Sequence, residues 1–287
     1  MIEYHADDYG LFPEQSKRIL KCITSGRCNG ISIMPNSPYL DECMKMLDPS
    51  ISIRKAVHIN LVEGKSISPR EKTGSITDAE GRFVLTFENV LLRSFFFGRK
   101  RLKEQIRNEI RMQIRQSLQY IPEDDIRIDS HTHIHMVPLV FDALIDALRM
   151  EKVMPVSIRI PCEQKQIYKG HRNEIEDKSW INRIKVLVLN FFAVRNLRKY
   201  RNSEFVCLQN PAVFFGVSCS GRMTRHNTDA VVDDLKTLAE KKSVDLELLF
   251  HPGAVYETED IQKLTSEADR TFLTDKRRDL EAKALEY

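Results

Sequence analysis

The stretch Ile126-Arg127-Ile128-Asp129-Ser130-His131-Thr132-His133-Ile134-His135-Met136-Val137-Pro138-Leu139 decides the fold. Ile126-Arg127-Ile128 alternates as a strand does, and Val137-Pro138-Leu139 opens a helix. Between them an acid precedes three of the chain's eight histidines. The cluster therefore sits where a strand ends and the chain turns. In α/β proteins that edge is where sites are built, because its loops gather side chains from several strands. Imidazole is a common metal ligand and the usual acid/base near neutral pH.

Working outward, the same strand-then-helix alternation recurs. Residues 2–6 read as a first strand ending in Asp7-Asp8-Tyr9-Gly10, followed by a helical face from Glu14 to Thr24. Ile31 to Met34 is a second strand and Tyr39 to Leu47 a second helix. Ser52 to Leu61 is a third strand carrying His58. Arg101 to Tyr120 repeats Leu102, Ile106, Ile110, Ile114 and Leu118 every four residues, one buried stripe beside a solvated basic one. Leu139 to Arg149, Trp180 to Tyr200, Thr228 to Lys241 and Glu267 to Leu285 also read as helices. Pro155 to Ile160, Phe214-Phe215 and Asp245 to Phe250 read as strands. Alternation of this kind implies parallel strands joined by helical crossovers. It points to an α/β (β/α) barrel, incomplete or seven-stranded, in a single domain spanning 1–287. A loop insertion is expected around 64–98, Gly64 to Arg82 reading as a long loop suited to a lid. A variable segment is expected at 162–212, whose first part, 162–178, reads as polar loop. The glycine fingerprint of a dinucleotide-binding turn is missing after the first strand.

The polar candidates collect at predicted strand ends: Asp7 and Asp8, His58, Asp129 and His131, Arg159, and His251. In a barrel those ends converge on one mouth. One carboxylate and two imidazoles can hold a divalent metal with positions left open for water and substrate. A further carboxylate can accept a proton from water, and a distal histidine can give one to a leaving group. Read alone, each residue also has a plain structural use. Asp7-Asp8 can serve a turn, His58 the core, Arg159 an ion pair and His251 a turn before Pro252-Gly253. His5, His171 and His226 read as structural or surface residues. No G-x-S-x-G elbow and no evident Cys–His pair is present, which disfavours nucleophilic catalysis.

Composition narrows the classes. At 42% hydrophobic and 30% charged the chain is ordinary globular protein, and its 287 residues can bury a full core. A net charge of +3 demands no nucleic acid or acidic membrane partner. The six cysteines show no CxxC pair and read as free thiols. No apolar run approaches a membrane span, and the N-terminus carries acids where a signal peptide needs an apolar run, so a cytoplasmic protein is expected by default.

Ala6-Asp7-Asp8-Tyr9-Gly10, Val57-His58-Ile59-Asn60-Leu61, Asp129 to His135, Ile158-Arg159-Ile160-Pro161 and Glu247 to Gly253, in this order, resemble the YdjC-like carbohydrate deacetylases, which include chitooligosaccharide deacetylases. The loop Asp78 to Phe83 and the helix around Glu109 and Gln113 fit the same family. The resemblance implies an incomplete (β/α) barrel and hydrolysis of an N-acetylated sugar with release of acetate. It implies Asp8, His58 and His131 as ligands to one divalent ion, Asp7 as general base and His251 as general acid. Magnesium is the family's usual assignment, although two imidazoles and one carboxylate suit zinc or another transition metal better. Arg159, Asp129, His133 and His135 remain as substrate-binding or supporting residues. A homodimer is compatible with such a barrel; no nucleic acid and no membrane is expected as partner. The alternatives are a metal-dependent esterase or phosphoesterase on the same barrel, and a non-catalytic sugar-binding protein.

Overall fold

A computed structural model describes residues 1–176, 179–264 and 267–287, the side chains of 268 and 269 apart. Seven parallel strands form one sheet: β1 (Ile2–Tyr9), β2 (Gly30–Ile33), β3 (Arg54–Ile59), β4 (Arg127–Ser130), β5 (Ser157–Ile158), β6 (Val213–Phe215) and β7 (Leu246–Phe250). Their order across the sheet is β5-β4-β3-β2-β1-β7-β6. Between them run α1 (Pro13–Thr24), α2 (Leu40–Met46), α3 (Phe87–Arg93), α4 (Arg99–Ser117), α5 (Pro138–Glu151), α6 (Lys165–Gly170), α7 (Trp180–Tyr200) and α8 (Arg225–Lys242). The chain closes with α9 (Thr258–Lys263), α10 (Glu267–Leu273) and α11 (Arg277–Leu285).

The sheet is buried on both faces, as parallel strands under helical crossovers must be. On the outside, Leu102, Ile106, Ile110 and Ile114 of α4 are buried as their spacing requires. Pro at the first position starts both α1 and α5, where its missing N–H costs nothing. On the inside the period of two selects Glu3, His5 and Asp7 from β1, Ser32 from β2, His58 from β3 and Asp129 from β4. Arg159 follows β5, and Glu247 lies on β7. The sheet curls tightly enough for Arg159, beyond one edge strand, to bond Glu247 next to the other edge at 2.5 Å. The result is a curled half-barrel whose inner face is polar and ion-paired.

Four expectations change. The first strand runs on to Tyr9, because pairing with β2 resumes there (Tyr9 opposite Ile33) after an irregularity that passes over Asp7 and Asp8. The 64–98 insertion contains a helix, α3, started by a Thr86–Asn89 capping box. Lys165–Gly170 is helical where a polar loop was expected. The single closing helix expected from Glu267 to Leu285 is two, parted at 274–276, with α9 before them.

Candidate active site

At the C-terminal ends of the strands, Asp8, His58 and His131 converge, with ligand atoms all within 4.8 Å of one another. Asp8 reaches this point by an unusual route. Asp7 already faces the barrel interior, so the next residue of a regular strand would face out. The irregularity in β1 puts Asp8 at φ 71°, a left-handed value costly for a non-glycine residue, and returns its carboxylate to the same mouth. Asp8 Oδ1 then lies 3.0 Å from His131 Nδ1 and 3.5 Å from His58 Nε2. Arg278 of α11 donates to Asp8 Oδ2 at 3.2 Å. Burial alone would raise the Asp8 pKa; the bonds to His131 and His58 and the charge of Arg278 hold it well below the usual range.

His58 is oriented from behind. Its Nδ1 pairs with Asp129 Oδ1 at 2.7 Å, which leaves Nε2 toward Asp8. A carboxylate behind an imidazole fixes both ring and tautomer for a metal. Burial lowers an imidazole's pKa, but the charges of Asp7 and Asp129 outweigh it and raise His58 to about 9.

Beneath lies a second layer. Arg159 donates from Nη1 to both oxygens of Asp7 at 3.0 Å and from Nε to Glu247 at 2.5 Å, and its Nη2 is ion-paired with Asp129 at 2.9 Å. Ser32 Oγ bridges His5 Nε2 at 2.6 Å, Asp7 Oδ1 at 3.1 Å and Asp129. His5 Nδ1 meets Glu3 at 2.7 Å. His5, Asp7 and Asp129 also satisfy a three-ligand spacing, yet the guanidinium already occupies their carboxylates.

On the far side, His251 Nε2 stands 3.9 Å from Asp7 Oδ2. Its backbone N–H donates to Glu281 Oε2 at 2.5 Å, and its ring meets Phe272 edge-on at 5.1 Å. Burial pushes the His251 imidazole down to about 4 and the Glu281 carboxyl up to about 7.

The histidine run divides. Thr132 and His133 take φ of 54° and 55°, so the segment coils after His131 and the three imidazoles part. His135 bonds Ser130 Oγ at 2.5 Å and the Arg159 carbonyl at 2.8 Å, which ties the cluster to the arginine's backbone. His133 packs edge-on against Phe214 at 6.0 Å and is not one of the three residues whose ligand atoms converge with Asp8. The sequence marked His5 only as a structural or surface residue and gave no sign of Ser32, Glu247, Arg278 or Glu281 as part of the site. The first three share the period-two face with Asp7 and Asp129 and could have been found that way. Arg278 and Glu281 come from α11 at the other end of the chain, and no local pattern announces them.

Carboxylate–imidazole pairs at the mouth of a parallel half-barrel define an α/β protein with a centre of the kind that holds a divalent ion. More particularly, the chain belongs to the family of YdjC-like proteins, whose pattern it matches over residues 2–286. It is 28% identical over 173 residues to a carbohydrate deacetylase of Thermoanaerobacter pseudethanolicus, covering 60% of this chain and 66% of that one. It is 23% identical over 158 residues to a chitooligosaccharide deacetylase of Yersinia enterocolitica, covering 54% and 57%. The matched stretches thus span between about half and two thirds of these relatives. A solved structure from Enterococcus faecalis, described as a cellobiose-phosphate cleavage protein, shares the fold: TM-score 0.65 at 18% identity over 99% of this chain and 89% of that one.

Proposed function

We propose that the chain is a metal-dependent deacetylase that hydrolyses the N-acetyl amide of an amino sugar or its oligomer. The observation that carries this reading is the position of Asp7, whose carboxylate stands beside both the Asp8–His58–His131 corner and His251. His58 Nε2 and His251 Nε2 lie 4.0 and 3.9 Å from Asp7 Oδ2.

The donor set fits a divalent ion. Bonds of about 2.0–2.2 Å to neighbouring ligands put those ligand atoms roughly 3.0–3.5 Å apart, and Asp8 Oδ1 stands at 3.0 and 3.5 Å from the two imidazole nitrogens. Asp8, His58 and His131 would hold the ion, with Asp129 orienting His58. Such an ion supplies Lewis acidity, polarising a carbonyl and acidifying water. Zinc or another transition metal suits the two nitrogens, whereas magnesium favours oxygen.

The chain's own groups do the rest. Arg159 clamps both oxygens of Asp7 and so fixes the direction in which Asp7 accepts a proton from the attacking water. The scissile C–N bond then breaks, acetate keeps the water oxygen, and the departing nitrogen takes a proton to leave as an amine. His251 is placed to give that proton. Burial leaves it neutral at pH 7 in the resting site, so it must be charged during turnover, and Asp7 is the acid beside it.

The test is acetate release from N-acetylglucosamine oligomers with a series of divalent ions. Turnover that needs an ion and disappears in Asp7→Asn while ion binding survives is expected. Full turnover in Asp7→Asn would rule the assignment out. One bound ion per chain separates this reading from a dinuclear phosphoesterase, and the absence of acetate release with every ion would favour a sugar-binding protein.

A further inference from the structure

Two elements expose apolar side chains that the described residues leave uncovered. The link from α3 to α4 reads Leu92-Arg93-Ser94-Phe95-Phe96-Phe97-Gly98-Arg99-Lys100-Arg101. Its three consecutive phenylalanines are exposed, Phe97 completely, and so are the three basic residues after them. The second element is α7. Its inner face, with Val186, Leu189 and Phe192, is buried. Its outer face shows Trp180, Ile184, Leu187, Phe191 and Val194, all exposed and spaced four, three, four, three. The start of α3 packs on the inner face of α7, Phe87 meeting Phe192 at 6.1 Å between ring centroids.

An exposed apolar surface of this size marks an interaction site, and charge identifies the partner. Residues 92–103 hold five Lys or Arg and no Asp or Glu, and residues 180–200 repeat that balance. Arg99, Lys100 and Arg101 make no ion pair with any described residue, and neither do Lys185 and Arg198. A twofold contact would set this surface against its own copy and bring like charges together. A surface bearing phosphate would neutralise the lysines and arginines while its acyl boundary took the aromatic and aliphatic groups. Trp, Phe and Leu on one face with Lys and Arg beside them is the pattern of segments that lie in the membrane interface.

We infer that the α3–α4 link and the outer face of α7 dock the protein peripherally on an anionic phospholipid bilayer. This revises the expectation of no membrane partner, which rested on the near-balanced net charge and on the absence of a spanning segment; no helix among the described residues is long and apolar enough to cross a bilayer. The inference is independent of the reaction assigned to the barrel mouth.

The chain has a single tryptophan, Trp180, and it lies on this surface. The full-length protein titrated with vesicles of phosphatidylcholine plus phosphatidylglycerol is therefore expected to co-sediment and to show a blue-shifted emission. Phosphatidylcholine alone should give neither, and added salt should weaken both. Charge reversal by Lys100→Glu with Arg101→Glu is expected to lower partitioning roughly tenfold or more. Phe95→Ser with Phe97→Ser should remove the residual binding, with the thermal midpoint unchanged because these side chains are exposed. Absence of sedimentation and of any emission shift with anionic vesicles would overturn the inference. So would a dimer in solution that the phenylalanine substitutions dissolve, which would assign the surface to a second copy.

Discussion

Two groups of acids and imidazoles stand one above the other in this barrel, and they are built from the same parts. Asp8, His58 and His131 form the upper group; His5, Asp7 and Asp129 form the lower. Both are buried and both have ligand-like spacing. They differ in what neutralises the carboxylates. In the lower group Arg159 spans Asp7, Asp129 and Glu247, and Ser32 fills the remaining space. In the upper group two imidazoles face one carboxylate, whose only guanidinium partner among the described residues, Arg278, takes the other oxygen. Spacing alone does not make a metal centre; the protein's own cation decides whether a cluster stays available or becomes a structural layer. Asp129 joins the two by giving one oxygen to His58 and the other to Arg159.

The largest effect is expected from removing a member of the upper group. His131→Ala should lose ion binding in calorimetric titration and acetate release together, whereas His5→Gln below should keep one ion per chain. Ion binding lost in His5→Gln and kept in His131→Ala would reverse the assignment of the two groups. Next, Asp7→Asn should lower kcat by about 10²–10⁴-fold, the usual contribution of a positioned base, with ion affinity kept because Asp7 belongs to the lower group.

The third change attacks the lower layer. Arg159→Met leaves three carboxylates facing one another, and breaking a buried pair of this kind costs on the order of 3–5 kcal/mol. Urea unfolding should register that loss at constant ionic strength. A variant as stable as the parent would show that the guanidinium does not hold the layer together.

The smallest effect concerns pH and α11. Burial raises the Glu281 carboxyl from 4.5 to about 7 in the folded chain, so the folded state holds its proton more tightly than the unfolded state does. The stability linked to that proton is complete below pH 4.5 and is lost as pH rises through about 7. The full drop is on the order of 3 kcal/mol. Glu281→Gln should flatten the stability curve across that window, and an unchanged slope would mean that Glu281 titrates as an exposed acid does.

The fold was legible in sequence because strand–helix alternation repeats locally. That pattern marked the strand ends where Asp8, His58 and His131 sit, but it marked Asp7, Asp129, Arg159 and His251 equally, and only the family resemblance singled out the three as one group. The lower layer was only half visible: Asp7, Asp129 and Arg159 were marked, but not that Arg159 crosses the barrel to Glu247, because a sheet's curl is a long-range property. Asp8 illustrates a further limit, since alternation would point it outward and only the irregular backbone of β1 returns it. His133 and His135 were set apart from His131 as supporting residues, but what parts them, the two left-handed residues Thr132 and His133, shows only in the backbone. Arg278 and Glu281 act 270 and 30 residues from Asp8 and His251, beyond any local reading.

The difference between the two groups is tested most directly by soaking the protein with zinc or manganese and collecting anomalous diffraction at the metal edge. One peak is expected per chain, bonded to Asp8, His58 and His131, with Arg159 still on Asp7 and Asp129. A peak among His5, Asp7 and Asp129, or a pair of peaks with Arg159 displaced, would contradict the account.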